Sequence, residues 1–166
     1  MRSTSQAALG SAAFFVAGPG LEAGVGPAVL VAVAGSDLDS WPVALRVLGV
    51  ALMVAGVAVL LDVFVRFARD GRGTPSPAAP TARLLTGGVF GVLRHPMYVA
   101  TTTVIVGEAL AFAQPVLLVG AAAYAAAMAT LVLAVEEPGL ARRFGASYDA
   151  YRRAVPGWVP RGRRGG

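Results

Sequence analysis

Four long apolar stretches alternate with short polar or glycine- and proline-rich segments. They cover about residues 6–34, 41–65, 96–114 and 115–135. A bilayer-spanning helix needs roughly 20 apolar residues, so the second and fourth stretches are long enough and the third, at about eighteen, is short but adequate. The pattern predicts an all-α, polytopic helical membrane protein with about four transmembrane segments.

The first apolar stretch is interrupted by Gly18–Gly20, Glu22 and Pro27. These residues predict a broken or kinked helix, or a helix followed by a re-entrant piece. A cleaved signal peptide is the alternative, since Arg2 precedes an apolar run that ends in small residues. Because apolar sequence continues to Ala34, we favour the membrane segment.

After the fourth stretch, the pattern predicts a helical tail over about 136–154. Phe144, Tyr148 and Tyr151 recur at helical spacing on one face, as in an amphipathic helix at a membrane interface. The chain is therefore expected to be a single domain. It would comprise N-terminal transmembrane segments (1–65), a cytoplasmic loop (66–95), a transmembrane hairpin (96–135) and a cytoplasmic tail (136–166).

Composition supports a membrane protein. Apolar residues make up 56% of the 166 residues and charged residues 14%, against about 25% charged in soluble domains. The net charge of +5 comes from arginines beside apolar runs, which favours anionic lipid headgroups over nucleic acid. With no cysteine and one histidine, no metal site is expected.

The arginines also predict orientation. They cluster in the loop between the second and third stretches and after the fourth, with Arg46 as the exception. The positive-inside rule then places both termini in the cytoplasm. We expect a multi-pass membrane protein; its oligomeric state is left open by the sequence.

The segment Arg94-His95-Pro96-Met97-Tyr98 stands where a basic loop meets the third apolar stretch. Pro96 suits the first turn of a helix, which makes His95 the capping residue. A helix N-terminus with Arg94 and His95 is a natural place for a carboxylate. Alternatively, Arg94 anchors the helix to lipid phosphate and His95 merely caps it.

Several acids stand in unfavourable places. Glu136 and Glu137 end the fourth stretch, where a helix favours cations, so they need a cationic partner unless they begin the tail helix instead. Asp62 can pair with Arg66 one turn on. Glu108 has no local partner, and an acid inside a membrane usually faces a partner or a cavity, so Glu108 is a candidate substrate-binding residue.

From about Phe64 to Arg161 the chain resembles the isoprenylcysteine carboxyl methyltransferase family, a wider group of membrane methyltransferases related to phospholipid N-methyltransferases. One block runs from Gly88 through Phe90 to Arg94-His95-Pro96-Met97-Tyr98. The second has Glu136-Glu137, Phe144-Gly145-x-x-Tyr148-x-x-Tyr151 and Val155-Pro156-x-x-x-Pro160. The start of the chain resembles prokaryotic relatives, which implies a prokaryotic inner or cell membrane.

The resemblance implies S-adenosylmethionine as the methyl donor, bound at the cytoplasmic face. The residues that match the family's cofactor-binding positions are Arg83, Leu84, Leu85, Phe90, His95, Pro96, Met97, Tyr98 and Glu136. Well-studied members carry an arginine for the substrate carboxylate one turn before the acid. Here that position is Val132, and Arg94 is the candidate to take over substrate binding.

Methyl transfer to a carboxylate of an isoprenoid-like or other lipophilic acceptor is the favoured activity, since it needs alignment and exclusion of water rather than a base or a metal. A phospholipid or amine N-methyltransferase of the same architecture is the second hypothesis. A non-enzymatic membrane protein that retains the motif is the third.

Overall fold

The computed structural model describes residues 16–34, 41–70 and 81–160. Every regular element in these ranges is helical, which confirms the all-α prediction. The helices are α1 (Gly26–Ala34), α2 (Val43–Arg69), α3 (Pro96–Ala111), α4 (Pro115–Leu131), α5 (Glu137–Phe144) and α6 (Ala146–Ala154). Shorter elements are two π-helical segments, Val16–Val25 and Val132–Glu136, and a 3-10 turn, Gly88–Gly91.

Two continuous helical stretches are long and apolar enough to cross a membrane. They are Val43–Arg69, with mean hydropathy 2.6, and Pro115–Phe144, with mean hydropathy 2.2. Two shorter apolar helices, Gly20–Val33 and Pro96–Ala111, accompany them. The structure is that of a helical membrane protein, in which the third predicted segment has 16 residues, below the roughly 20 that span a bilayer unaided.

The described part of the first apolar stretch is helical, but it consists of two helical segments of different type. It is π-helical from Val16 to Val25 and α-helical from Gly26, so the change of helix type falls among the predicted glycine breaks. Glu22 in this segment accepts a hydrogen bond from the Tyr124 hydroxyl at 2.9 Å. The signal-peptide alternative falls on residues outside the described ranges.

Helices α2 and α3 pack closely because glycines face one another across their contact. A Cβ on Gly56 would lie 2.9 Å from the Ala100 carbonyl oxygen, and one on Gly107 would lie 2.7 Å from the Gly49 carbonyl oxygen. Small residues at such contacts let two backbones approach in a membrane, where packing rather than water exclusion drives helix association. The close contact fixes α3 against the long helix α2.

The predicted tail helix is present but divided in two. Gly145 has φ of 50°, a left-handed conformation that ends α5, and α6 starts at Ala146. Tyr148 and Tyr151 are buried, packed with Val155 against Leu84. The aromatic face therefore covers the protein itself, because the bend at Gly145 folds α6 back onto the loop before α3.

Candidate active site

The start of α3 is fixed by the polypeptide backbone of the tail. The Arg94 N–H donates to the Pro156 carbonyl at 2.9 Å, and the His95 N–H donates to the Gly157 carbonyl at 3.2 Å. Pro96 is the first residue of the helix, as predicted. These two bonds bring the two sequence blocks together, although they lie some sixty residues apart in the chain.

His95 is the capping residue of α3, but its side chain makes no capping hydrogen bond. Its buried ring lies between two acids instead: Nε2 is 3.2 Å from Glu137 Oε1 and Nδ1 is 3.5 Å from Glu136 Oε1. Nδ1 itself has no hydrogen-bond partner. The imidazole therefore belongs to a polar cluster, and simple capping does not describe it.

Arg94 is already engaged by protein groups. Its Nη1 pairs with Glu137 and donates to the Tyr148 hydroxyl at 3.1 Å. The side chains of Arg94 and Glu137 are only 14% and 13% exposed. A buried pair of this kind neutralises both charges, so the guanidinium predicted to bind substrate is used to join the start of α3 to α5 and α6.

Glu136 is the accessible acid of the cluster. The Tyr98 hydroxyl donates to its Oε2 at 2.9 Å, yet its side chain keeps 35% of its surface exposed. The adjacent Glu137, at the start of α5, contacts the Arg94 side chain instead, because neighbouring residues of a helix point about 100° apart. One carboxylate is thus structural and the other faces a space that a ligand can reach.

Aromatic rings lie beside the two residues that contact this acid, His95 and Tyr98. The Trp158 ring lies 5.2 Å from the His95 ring and 6.3 Å from the Tyr98 ring, each tilted by 33°. Such nearly parallel rings offer planar faces to an aromatic ligand or to a cation. We call His95, Tyr98, Glu136 and Trp158 the histidine–glutamate cluster.

Three predicted residues near the cluster have packing roles. Pro96 is buried in the first turn of α3. Met97 packs on the apolar group formed by Leu60, Ala100 and Val104. Phe90 is buried edge-on against Phe67 at 5.7 Å, and its carbonyl accepts a 2.6 Å hydrogen bond from Tyr151.

The predicted strip Arg83–Leu85 lines a separate polar cleft of about 350 Å³. The end of α2 supplies the opposite wall with Arg66, Arg69 and Asp70. Leu84 also packs on the buried tyrosines of α6, so this helix adjoins the wall of the cleft. We call this space the arginine cleft; its charge suits an anionic group.

The buried tyrosines of α6 remain neutral hydrogen-bond donors. Burial raises the pKa of the Tyr151 hydroxyl. Burial and the nearby Glu137 carboxylate raise the pKa of Tyr148, against the opposing effect of Arg94. A neutral phenol can donate its hydrogen, so Tyr151 holds the Phe90 carbonyl and supports the backbone just before the histidine.

Glu108 is the predicted site residue that the fold separates from the others. It lies thirteen residues after His95 in α3, which at 1.5 Å per residue is about 20 Å along the axis. It lines a different, apolar cavity. Of the two alternatives for this acid, a partner or a cavity, the structure shows a cavity, and its role in substrate binding stays a prediction.

Sequence reasoning missed two members of this region. Glu137 was noted only as half of an acidic pair, and nothing local indicates that Arg94 is its partner. Trp158 stands inside the second sequence block, but no spacing rule places its ring on His95. Asp62, in contrast, pairs with Arg66 at 2.7 Å as the helical spacing predicted.

Comparison with known proteins identifies a family. A family model described as phospholipid methyltransferase matches residues 44–147, which includes α2, α3, α4, α5 and the acids of the cluster. No curated protein and no solved structure matches the chain. Since the match covers more than half of the 166 residues, the chain belongs to the phospholipid methyltransferase family.

Proposed function

We propose that this protein is an integral-membrane methyltransferase that uses S-adenosylmethionine and methylates the amine of a lipid, with a phospholipid headgroup as the first candidate. The accessible Glu136 carboxylate carries the proposal, because it is an acid without an arginine partner among the described residues and it contacts Tyr98, whose ring lies near those of His95 and Trp158. Family membership supports methyl transfer; the acceptor rests on the charges of the site.

The residues present suit the cofactor. S-adenosylmethionine supplies a methyl group on a positively charged sulfur, together with an ammonium group and an aromatic base. Glu136 would bind a cationic part, and the faces of Trp158 and Tyr98 would hold the planar part. His95 Nδ1, buried without a partner, is a hydrogen-bonding atom left for a ligand, because such atoms in native proteins usually have a partner.

The charges favour an amine over the carboxylate acceptor expected from the family resemblance. Val132, where relatives carry the carboxylate-binding arginine, is fully buried. Arg94, the candidate substitute, is paired with Glu137. A substrate carboxylate would therefore meet Glu136 without a free cation in the cluster, whereas an ammonium group would be attracted there.

An amine must lose a proton before it can attack. The ammonium would release this proton to water, which leaves a neutral nitrogen with a lone pair. Glu136, Trp158 and Tyr98 would hold the cofactor, which would supply its methyl group to that nitrogen and depart as a neutral thioether. Alignment of the two reactants and exclusion of water are the other contributions of the site.

The arginine cleft gives the same substrate a second contact. Arg69 and Arg83 line it without a carboxylate partner among the described residues, whereas Arg66 pairs with Asp62. A phospholipid has a phosphate next to its amine, and arginine is well suited to bind phosphate. Arg83, Leu84 and Leu85 would also hold the cofactor, as the family resemblance implies.

The test of cofactor binding is calorimetry with S-adenosylmethionine on the full-length, detergent-purified protein. We expect micromolar affinity that Glu136→Gln weakens at least about tenfold, or about 1.4 kcal/mol. Asp149→Asn is the matched control, since it makes the same change at an exposed acid of α6. Unchanged affinity in Glu136→Gln would overturn the site assignment.

The acceptor is tested with vesicles that contain phosphatidylethanolamine, a farnesylated cysteine as competitor, and a cofactor carrying a radioactive methyl group. We expect label that stays in the lipid after mild alkali, as an N-methyl group does. Release of the label as methanol would identify a methyl ester. That result would overturn the amine assignment and retain the methyltransferase.

A further inference from the structure

A second cavity, of about 370 Å³, lies near the far end of α3 from the histidine–glutamate cluster. Its volume falls within the range of ordinary small-molecule sites. The walls come from the first helical stretch, the last turns of α3 and the start of α4. The lining residues are Gly24, Pro27, Ala28, Val31, Glu108, Phe112, Gln114 and Leu117.

Two polar atoms in this apolar lining have no hydrogen-bond partner. They are Oε2 of Glu108 and Nε2 of Gln114, both buried. Gln114 is only 2% exposed as a residue, so bulk water does not solvate its amide. Leaving such an atom unpaired costs about 1–3 kcal/mol, and two of them at one cavity indicate a missing polar partner.

The two atoms require partners of different hydrogen-bonding type. Nε2 of Gln114 is a donor and needs an acceptor, whereas an ionised Glu108 oxygen is an acceptor and needs a donor. An ammonium group has donors alone and would leave Gln114 unpaired. A hydroxyl group accepts one hydrogen bond and donates another, so it satisfies both atoms at once.

We propose that this cavity binds a lipid alcohol, meaning a long-chain molecule whose terminal hydroxyl lies between Glu108 and Gln114. The hydroxyl donates to Glu108 Oε2 and accepts from Gln114 Nε2. The apolar part of the ligand lies along Val31, Phe112 and Leu117. Each of these contacts suits a molecule that partitions into a membrane.

This site is distinct from the methyl-transfer site. Glu108 lies about 20 Å along α3 from His95, too far for a hydroxyl held there to reach a methyl group near Glu136. The cavity therefore does not depend on the proposed function. A lipid alcohol bound there contacts both the first helical stretch and the α3–α4 turn, and its binding would stabilise their packing.

The experiment is photolabelling of the full-length protein in nanodiscs with three probes that carry a diazirine in a C16 chain: an alcohol, a hydrocarbon and a primary amine. We expect the alcohol to label peptides from 24–31 and 108–117 at least tenfold more than the hydrocarbon does. Excess unlabelled hexadecanol should remove that labelling. Equal labelling by the hydrocarbon would overturn the proposal.

Variants of the two polar residues test which hydrogen bonds hold the hydroxyl group. Glu108→Gln retains an acceptor oxygen, so alcohol labelling should persist, whereas Gln114→Leu removes the donor and should lower labelling about tenfold. Glu136→Gln, the same change in the other site, should leave labelling unchanged. Preferential labelling by the amine that is lost in Glu108→Gln would identify a cation site and overturn the alcohol. If Gln114→Leu fails to fold, the proposal is still tested by the ratio of alcohol labelling to hydrocarbon labelling and by the labelling of Glu108→Gln.

Discussion

The two ends of α3 differ in how their charged side chains are paired. At the first turn, Arg94 bonds to Glu137 and Tyr148, and Tyr98 bonds to Glu136. At the last turn, Glu108 and the neighbouring Gln114 each keep a buried atom without a partner. Buried atoms without a partner also occur at the first turn, at Arg94 Nε and His95 Nδ1, so the two ends differ in their charges: Arg94 and Glu137 form an ion pair, whereas Glu108 forms none among the described residues.

This difference separates polar groups that stabilise the fold from polar groups that are candidates for binding a ligand. A paired, buried charge resists removal of either partner, because the remaining charge would be left unsolvated. An unpaired buried group can be replaced without that loss. The groups assigned to ligands are the partly exposed Glu136 at one end and Glu108 with Gln114, each with an unpartnered buried atom, at the other.

The largest effect is expected from the packing that holds both ends in place. In Gly49→Ala, the new methyl group would meet backbone atoms of α3, with the Gly107 carbonyl oxygen at 2.5 Å. Since neither backbone can move aside cheaply, the variant should lose about 3 kcal/mol or more. Gly139→Ala, where no atom lies within 4 Å, is the control. Thermal unfolding in detergent measures both, and equal stability would contradict the close contact.

The direct test of this difference between the two ends of α3 replaces one glutamate at each end by glutamine. Glu137→Gln should lower the free energy of unfolding by about 2 kcal/mol, because a charge-assisted bond to Arg94 is weakened. Glu108→Gln should leave it unchanged or raise it, since no pair is lost. Chemical denaturation in mixed micelles measures both free energies. A larger loss in Glu108→Gln would reverse the comparison.

A smaller effect is expected at the tyrosine that supports the paired end. Tyr151→Phe removes the bond to the Phe90 carbonyl and should lower stability by about 1 kcal/mol at neutral pH. Burial raises the pKa of Tyr151. The native state therefore retains this proton to a higher pH than the unfolded chain, whose tyrosines ionise near pH ~10. Stability should therefore fall above that pH.

The same variant checks the cause of the alkaline loss. The decrease in stability above pH ~10 should be shallower in Tyr151→Phe, because one of the shifted groups is gone. Tyr148, whose pKa is also raised, should account for part of what remains. An identical pH profile in both proteins would show that Tyr151 does not control the decrease.

The smallest effect is expected in the α3–α4 turn beside the other end of α3. Ala113 has φ of 52°, a left-handed conformation that costs a non-glycine residue about 1–2 kcal/mol. Ala113→Gly removes this strain but frees the unfolded chain, so the net change should stay within about 0.5 kcal/mol. Ala127→Gly, at an exposed position inside α4, should lose about 1 kcal/mol. Equal losses in the two variants would contradict the strain.

Much of the fold follows from local rules. Apolar length predicted α2 and α4, Pro96 marked the first residue of α3, and helical spacing paired Asp62 with Arg66. The division of the tail at Gly145 was not predicted, because a glycine can either continue a helix or end it with positive φ. The π-helical turn that ends at Glu136 was not predicted either, because no residue pattern marks such a turn as proline marks the first turn of a helix.

The sequence by itself determined the helical class, the membrane character and the two polar blocks, because composition and helical periodicity act over a few residues. Only the tertiary structure decided that Arg94 joins Glu137, 43 residues away, that Trp158 covers His95, and that Glu108 opens onto its own cavity. These contacts depend on how closely α2 and α3 approach and on where α6 folds back. Such packing involves residues far apart in the chain, which no local pattern relates.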